Sequence, residues 1–260
     1  MIYGLTSLSG SPGVTTTAVA WATTATTPTL LLEADMTGGS AILAGRYRSE
    51  VPHEHTILAM ATRDADMTVL EVLQAQSVPL PGAAADSALI PTIAEHQQAT
   101  VLQTTWLDTA EALAELSRDG GVDVVIDLGR VTTDGLPWGL VSQLDALIVM
   151  AWTTLPALIT LANGIPRLQD QVHGPHLGVL FVDADIGSYP EDVASQVSPA
   201  PSLGALPYST KAAAVYSQGY KMARANTLRT YHRAIDRARA TIAQQATRHR
   251  NELLGEGSTM

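Results

Sequence analysis

The sequence predicts an α/β protein built on a doubly wound, mostly parallel sheet, with a long helix at its C-terminal end. Three observations carry this. Short, nearly continuous apolar runs alternate with helix-like stretches, the order expected of strands and crossover helices in a sheet covered on both faces. A glycine-bearing turn, Ser9-Gly10-Ser11-Pro12-Gly13, separates the first apolar run from the first helix-like stretch. From about residue 220 to 250, Leu228, Tyr231, Ile235 and Ile242 form one narrow apolar stripe at helical spacing.

The elements follow in order. Residues 1–7 open as a strand, Met1-Ile2-Tyr3-Gly4-Leu5, and residues 15–25, with Ala18-Val19-Ala20-Trp21-Ala22, read as a helix. A strand is expected at 29–34, a helix at 55–75, and a further candidate strand at 98–103. Residues 76–98, broken by proline, glycine and alanine, read as a surface excursion and not as a domain boundary. Strands at 122–127, 145–150 and 177–182 then alternate with helices at 107–118, 155–163 and 190–196, and residues 203–208 make a late strand and turn. The expected organisation is a main domain over 1–220, a basic helix over 221–254 packed on it, and a disordered tail over 255–260.

Composition narrows the function classes. With 260 residues and 46% hydrophobic content, the chain can bury the core of one α/β domain and does not read as disordered. No apolar run reaches the ~18 residues that span a membrane, and no signal-peptide pattern opens the chain, so a cytoplasmic protein is expected. The absence of cysteine excludes disulfides, thiol catalysis and zinc–thiolate sites. Charge is uneven. Residues 211–250 hold nine of the 15 basic side chains, opposed only by Asp236, which gives that stretch +8 and the rest of the chain −18. Such a segment suits docking on its own acidic body or an anionic partner.

Strand, glycine turn and helix N-terminus together offer unpaired backbone N–H groups at the positive end of a helix dipole, which is what a nucleotide phosphate needs. A working loop of this kind adds a lysine just before its Ser/Thr to neutralise the β- and γ-phosphates. Val14 occupies that place. Glu33 and Asp35 stand at the end of the second strand and Asp127 at the end of another, positions that also simply cap turns and helices. The pairs His53/His55 and His173/His176 lack a third ligand at metal-site spacing, and no metal is assigned to them. Trp106, Trp138 and Trp152 read as packing residues rather than a stacking platform.

Taken in order, these stretches resemble the ParA/MinD family of P-loop ATPases, the deviant Walker A class. The family loop reads Lys-Gly-Gly-x-Gly-Lys-Thr-Thr; in this chain its two lysines fall on Ser9 and Val14, its glycines on Gly10 and Gly13, and its threonines on Thr15 and Thr16, with Ser11 and Pro12 between. Glu33-Ala34-Asp35 stands for the family's Asp-x-Asp, Asp127 for its Walker B aspartate, Asp183 for an adenine-contacting Asn, and Gly204-Ala205-Leu206-Pro207-Tyr208 for the turn beside the base. The resemblance covers roughly residues 1–220. It implies a P-loop NTPase fold and a nucleotide site over residues 10–16 with Asp127, Asp183 and Pro207. Magnesium, where nucleotide binds, would meet Thr15, Asp35 and Asp127. Glu33 and Asp35 are the catalytic candidates.

Without either lysine the site loses two charge-assisted contacts to phosphate, and losing one such contact in a transition state costs about 10²–10³ in rate. Inefficient hydrolysis and weak or no binding of ATP and magnesium are expected, unless a residue such as Arg130, Arg46 or Arg48 substitutes. The resemblance then implies a degenerate positioning or assembly factor, in pilus or secretion localisation or in partitioning, acting as a homodimer on a protein partner. The TadZ/CpaE type of localisation protein, whose loops are also eroded, is the nearest analogy. Two alternatives stand beside it: an active ATPase switch for chromosome or plasmid partitioning, and a nucleic-acid-binding module using Arg224, Arg229, Arg233 and Arg237. Small apolar residues where a membrane helix carries Leu, Phe or Trp argue against a membrane-surface role for the basic helix.

Overall fold

A computed structural model describes residues 1–133, 135–221 and 225–255; the expected tail beyond Gly255 and Arg224 lie outside them. Among the described residues the strands are β1 (Ile2–Ser7), β2 (Thr29–Glu33), β3 (Val78–Pro79), β4 (Ala88–Ile90), β5 (Asp123–Arg130), β6 (Ala146–Trp152), β7 (His176–Val182) and β8 (Ser202–Leu206). They form one sheet in the order β3-β4-β2-β5-β1-β6-β7-β8, parallel throughout except for the short antiparallel edge β3. The helices are α1 (Val14–Thr24), α2 (Ala41–Gly45), α3 (Val69–Gln76), α4 (Ala99–Leu102), α5 (Trp106–Asp119), α6 (Trp138–Val141), α7 (Leu155–Gln169), α8 (Glu191–Val197), α9 (Thr210–Ser217) and α10 (Ala225–Leu253). This is the doubly wound sheet the alternation predicts.

The sheet separates two cores. Alternate residues of β6 show the division: Leu147, Val149 and Ala151 face a core shared with α3 and α5 to α8, while Ala146, Ile148 and Met150 face one shared with α1, α2, α9 and α10. Strands buried on both faces explain the continuous apolar runs. In α10, Tyr231, Ala234, Ile235, Ala238, Ile242 and Ala246 are buried in the second core, extending the apolar stripe with small residues that let the helix lie close to the sheet.

Three expectations are corrected. The excursion at 76–98 contains two sheet strands, and Leu89, Ile90 and Ile93 within it are fully buried. A three-residue strand is too short to leave a periodic trace among prolines and glycines. The candidate strand at 98–103 is instead helix α4, entered from a turn in which the Glu95 N–H donates to Gln98 Oε1 at 3.0 Å. The helix expected at 55–75 is divided into a 3-10 turn at Ile57–Met60 and α3, which starts at a Thr68/Glu71 capping box.

Candidate functional site: a phosphate loop without its cations

The loop from β1 to α1 has the backbone form of an anion cradle. Gly10 and Gly13 take φ of 65° and 89°, the left-handed region open to glycine, and Gly13 leads into α1 with no side chain capping the first turn. The amides there remain available to an anion. The charge does not follow the shape. Val14 is buried in the core beneath α1, so its side chain turns away from the loop. No lysine or arginine occurs before residue 46. Arg46 itself donates to the carbonyls of Val215 at 2.9 Å and Pro81 at 2.5 Å, which fixes it as a loop clamp. Arg48 lines a separate cleft with Gly219 and Lys221. Arg130 is exposed at the end of β5, paired in register with Ser7 at the root of the loop.

The carboxylates do converge. Glu33 and Asp127 are register partners on β2 and β5. Asp127 is fully buried; its carboxylate accepts the Gly129 N–H at 3.0 Å, and its Oδ2 has no hydrogen-bond partner among the described residues. Burial pushes its pKa up to about 6, against the pull of the nearby Thr15 hydroxyl and the Gly129 amide, with a further upward push from Asp35. Gly129 is what admits Asp35: its φ is 61°, and a Cβ there would stand 2.3 Å from the Asp35 carboxylate. Asp35 Oδ1 accepts the Thr37 N–H at 2.9 Å and hydroxyl at 2.7 Å. Thr15, Asp35 and Asp127 are thus brought together.

Glu33 is not free to act on a water. It is buried, and it accepts from the Ser40 hydroxyl, from the Thr92 N–H at 3.3 Å and from the Ile42 N–H at 3.5 Å. Ser40 in turn caps α2 through the Leu43 N–H. Burial raises the Glu33 pKa to about 7, with Asp127 adding to it and these hydrogen bonds opposing it. The arrangement makes Glu33 the anchor of the turn into α2.

Beside the loop lies a cleft of about 210 Å³, lined by Ser11, Pro12, Gly13 and Thr16 on one side and Pro207 and Tyr208 on the other. Trp152 and Tyr231 also line it. Trp152, expected only to pack, sits where a Cβ on Gly10 would meet its indole at 3.5 Å, with its ring centroid 6.2 Å from that of Tyr208. Its signal was available: it ends an apolar parallel strand, where ligands bind in such sheets. Tyr231 reaches the cleft from α10, its hydroxyl beside Thr17. Asp183 does not line the cleft; it directly follows β7, its N–H bonded to the Leu206 carbonyl at 2.9 Å, its pKa raised by burial and then by Glu191.

Solved structures share this architecture. MinD cell division protein of Aquifex aeolicus superposes with a TM-score of 0.68 at 15% identity, over 93% of this chain and 97% of that one. The MinC:MinD complex from the same organism gives 0.66 at 15% identity, over 93% and 96%. A plasmid partition protein of Borrelia burgdorferi bound to AMPPNP gives 0.65 at 10% identity, over 94% and 98%. The chain has the ParA/MinD fold. No protein-family model and no curated protein sequence matches it, so the likeness is carried by shape.

Against the ParA/MinD fold, the residues fit a nucleotide in part. The free Asp127 Oδ2 beside Thr15 suits a magnesium ion, which takes one or two carboxylates and keeps phosphate and water as its other ligands. Among the described residues no three His, Asp or Glu side chains form a metal cage. From the loop itself the phosphates would find amides and no basic side chain.

Six of the 15 basic side chains are on α10. Arg229, Arg233, Arg237 and Arg248 are exposed, and none is ion-paired among the described residues. The first three repeat every four residues and so share one face of the helix. Arg239 pairs with Asp236, and Arg250 with Asp145 at 3.5 Å. The apolar face of α10 docks on the body while this arginine face meets solvent. No helix among the described residues is long and apolar enough to cross a membrane.

Proposed function

We propose that this chain is a positioning or assembly factor that works through dimerisation and binding of a protein partner, with nucleotide held weakly or not at all and hydrolysed inefficiently. The observation that carries this reading is the uncharged phosphate loop: Val14 is buried in the core and no basic side chain precedes Arg46, while Thr15, Asp35 and Asp127 lie close together behind it. Support for a role in positioning comes from the fold shared with MinD and with a plasmid partition protein, and support for a protein partner from the MinC:MinD complex. Any nucleotide would lie along residues 10–16, with Pro207 toward the base and magnesium between Thr15, Asp35 and Asp127.

Calorimetric titration with ATP–magnesium, alongside a phosphate-release assay, tests the reading. The expected result is weak or absent binding and negligible turnover. Robust turnover abolished by Thr15→Ala or Asp35→Ala overturns it in favour of an ATPase switch, with Arg130 as the substitute cation.

The exposed arginine face of α10 favours a second reading, a nucleic-acid contact through Arg229, Arg233 and Arg237. A local charge of +8 suits phosphate backbones despite the net −10 of the chain.

A further inference from the structure

Helix α5 carries a row of carboxylates that mirrors the arginine row of α10. Glu111, Glu115 and Asp119 stand four residues apart, as Arg229, Arg233 and Arg237 do, and all six are exposed. Each row therefore follows one face of its helix, and none of the six is ion-paired among the described residues. The opposite charge within the span of each row is engaged. Arg118 Nε donates to the Ala114 carbonyl at 3.2 Å, and Asp236 pairs with Arg239. No other helix among the described residues has three carboxylates at this spacing.

The two rows cannot meet within one molecule, because the sheet stands between them. Helix α5 buries Trp106, Ala110 and Leu113 in one core, and α10 buries Tyr231, Ile235 and Ile242 in the other. The acidic row lines a groove of about 810 Å³ between α5 and the start of α3, where Val69 and Leu70 form the facing wall. Each row spans about 12 Å of helix, so they match in length as well as in charge. We infer that the arginine row of α10 docks in the acidic groove of a second copy, guanidinium on carboxylate, with the arginine stems lying along Val69 and Leu70. Because the rows lie on opposite sides of the sheet, two copies cannot satisfy both at once, and the contact propagates head to tail. A single exposed ion pair contributes little; a row of three at every junction makes the assembly steeply dependent on salt. This goes beyond the partner-binding reading above and uses neither nucleotide nor a foreign partner, so either can fail while the other stands.

Sedimentation velocity of the full, nuclease-treated chain without nucleotide tests this. At about 50 mM salt, species larger than a dimer are expected to grow with protein concentration, and to dissociate at about 0.5 M. One variant reverses the basic row (Arg229→Glu, Arg233→Glu, Arg237→Glu) and another the acidic row (Glu111→Lys, Glu115→Lys, Asp119→Lys). Each alone is expected to raise the concentration needed for assembly by about tenfold or more. Mixing the two in equal amounts is expected to restore assembly, because each row then meets its opposite in the neighbouring copy, and melting curves check that both variants fold. No assembly of the unaltered chain at low salt, assembly that stops at a dimer, assembly that survives in either variant, or a mixture no better than its parts overturns the inference. So does assembly that disappears on nuclease treatment, because the occupant of the arginine row is then nucleic acid.

Discussion

The phosphate loop at the start of the chain and helix α10 near its end treat charge in opposite ways. The loop has a cradle's backbone, with two left-handed glycines and an uncapped helix start, and no cation to complete it. The described part of α10 has a row of arginines and no concavity, its cations standing on a convex, solvent-facing surface. A cradle without charge selects by shape at low affinity, and a charged ridge without a cradle attracts polyanions with little selectivity. The difference teaches that anion recognition in one domain can be split into two halves that sit apart.

The sharpest way to break the comparison is to remove the packing that holds α10. Ile242→Ala, at a fully buried position, is expected to cost about 2–5 kcal/mol and to lower the melting temperature by several degrees. A silent variant would mean that the arginine row is an appendage and not part of the domain. Next in size, replacing Arg229, Arg233 and Arg237 with Gln is expected to weaken binding to a 20-base-pair duplex about a hundredfold at low salt. The slope of log K against log salt should shrink by about three, with stability unchanged within about 0.5 kcal/mol. Unaltered duplex binding removes the nucleic-acid reading.

The carboxylates give the third test. Glu33 and Asp127 have folded pKa values of about 7 and about 6, above their ordinary values, so the folded state binds protons more tightly than the unfolded one. Their contribution to stability is therefore complete below about pH 4 and is lost as pH rises through 6 and 7. Thermal melts are expected to show a loss on the order of 2 kcal/mol between pH 5 and pH 8, flattened in Glu33→Gln. An unchanged pH profile in that variant refutes the assignment. The smallest expected effect sharpens the comparison from the loop's side. Ser9→Lys with Val14→Lys is expected to raise ATP–magnesium affinity about tenfold by calorimetry, some 1.4 kcal/mol, at some cost in stability from the vacated core position.

The sheet was legible because its strands are buried on both faces and read as unbroken apolar runs, as in Leu147 to Met150. The ordered motifs single out Thr15, Asp35 and Asp127, and the fold brings these three side chains together. What escaped notice was whatever depends on three-dimensional approach. Trp152 became a cleft residue only because β6 ends beside Gly10, and Tyr231 only because α10 folds back over α1. Strand β4 escaped because three residues carry too little pattern, although tertiary pairing with β2 fixes them. Glu33 looked like a catalytic acid in the sequence; only the surrounding Ser40, Thr92 and Ile42 reveal an anchor.

Tyr231 gives the two ends of the chain a common stake. Its ring is at once a wall of the cleft and part of the seat of α10, two positions from Arg233 and two from Arg229. A ligand whose affinity depends on how that ring sits therefore also weighs on the helix, and thermodynamic reciprocity requires the converse. Whatever factor a polyanion on the arginines applies to cleft affinity, the cleft's ligand applies to the polyanion.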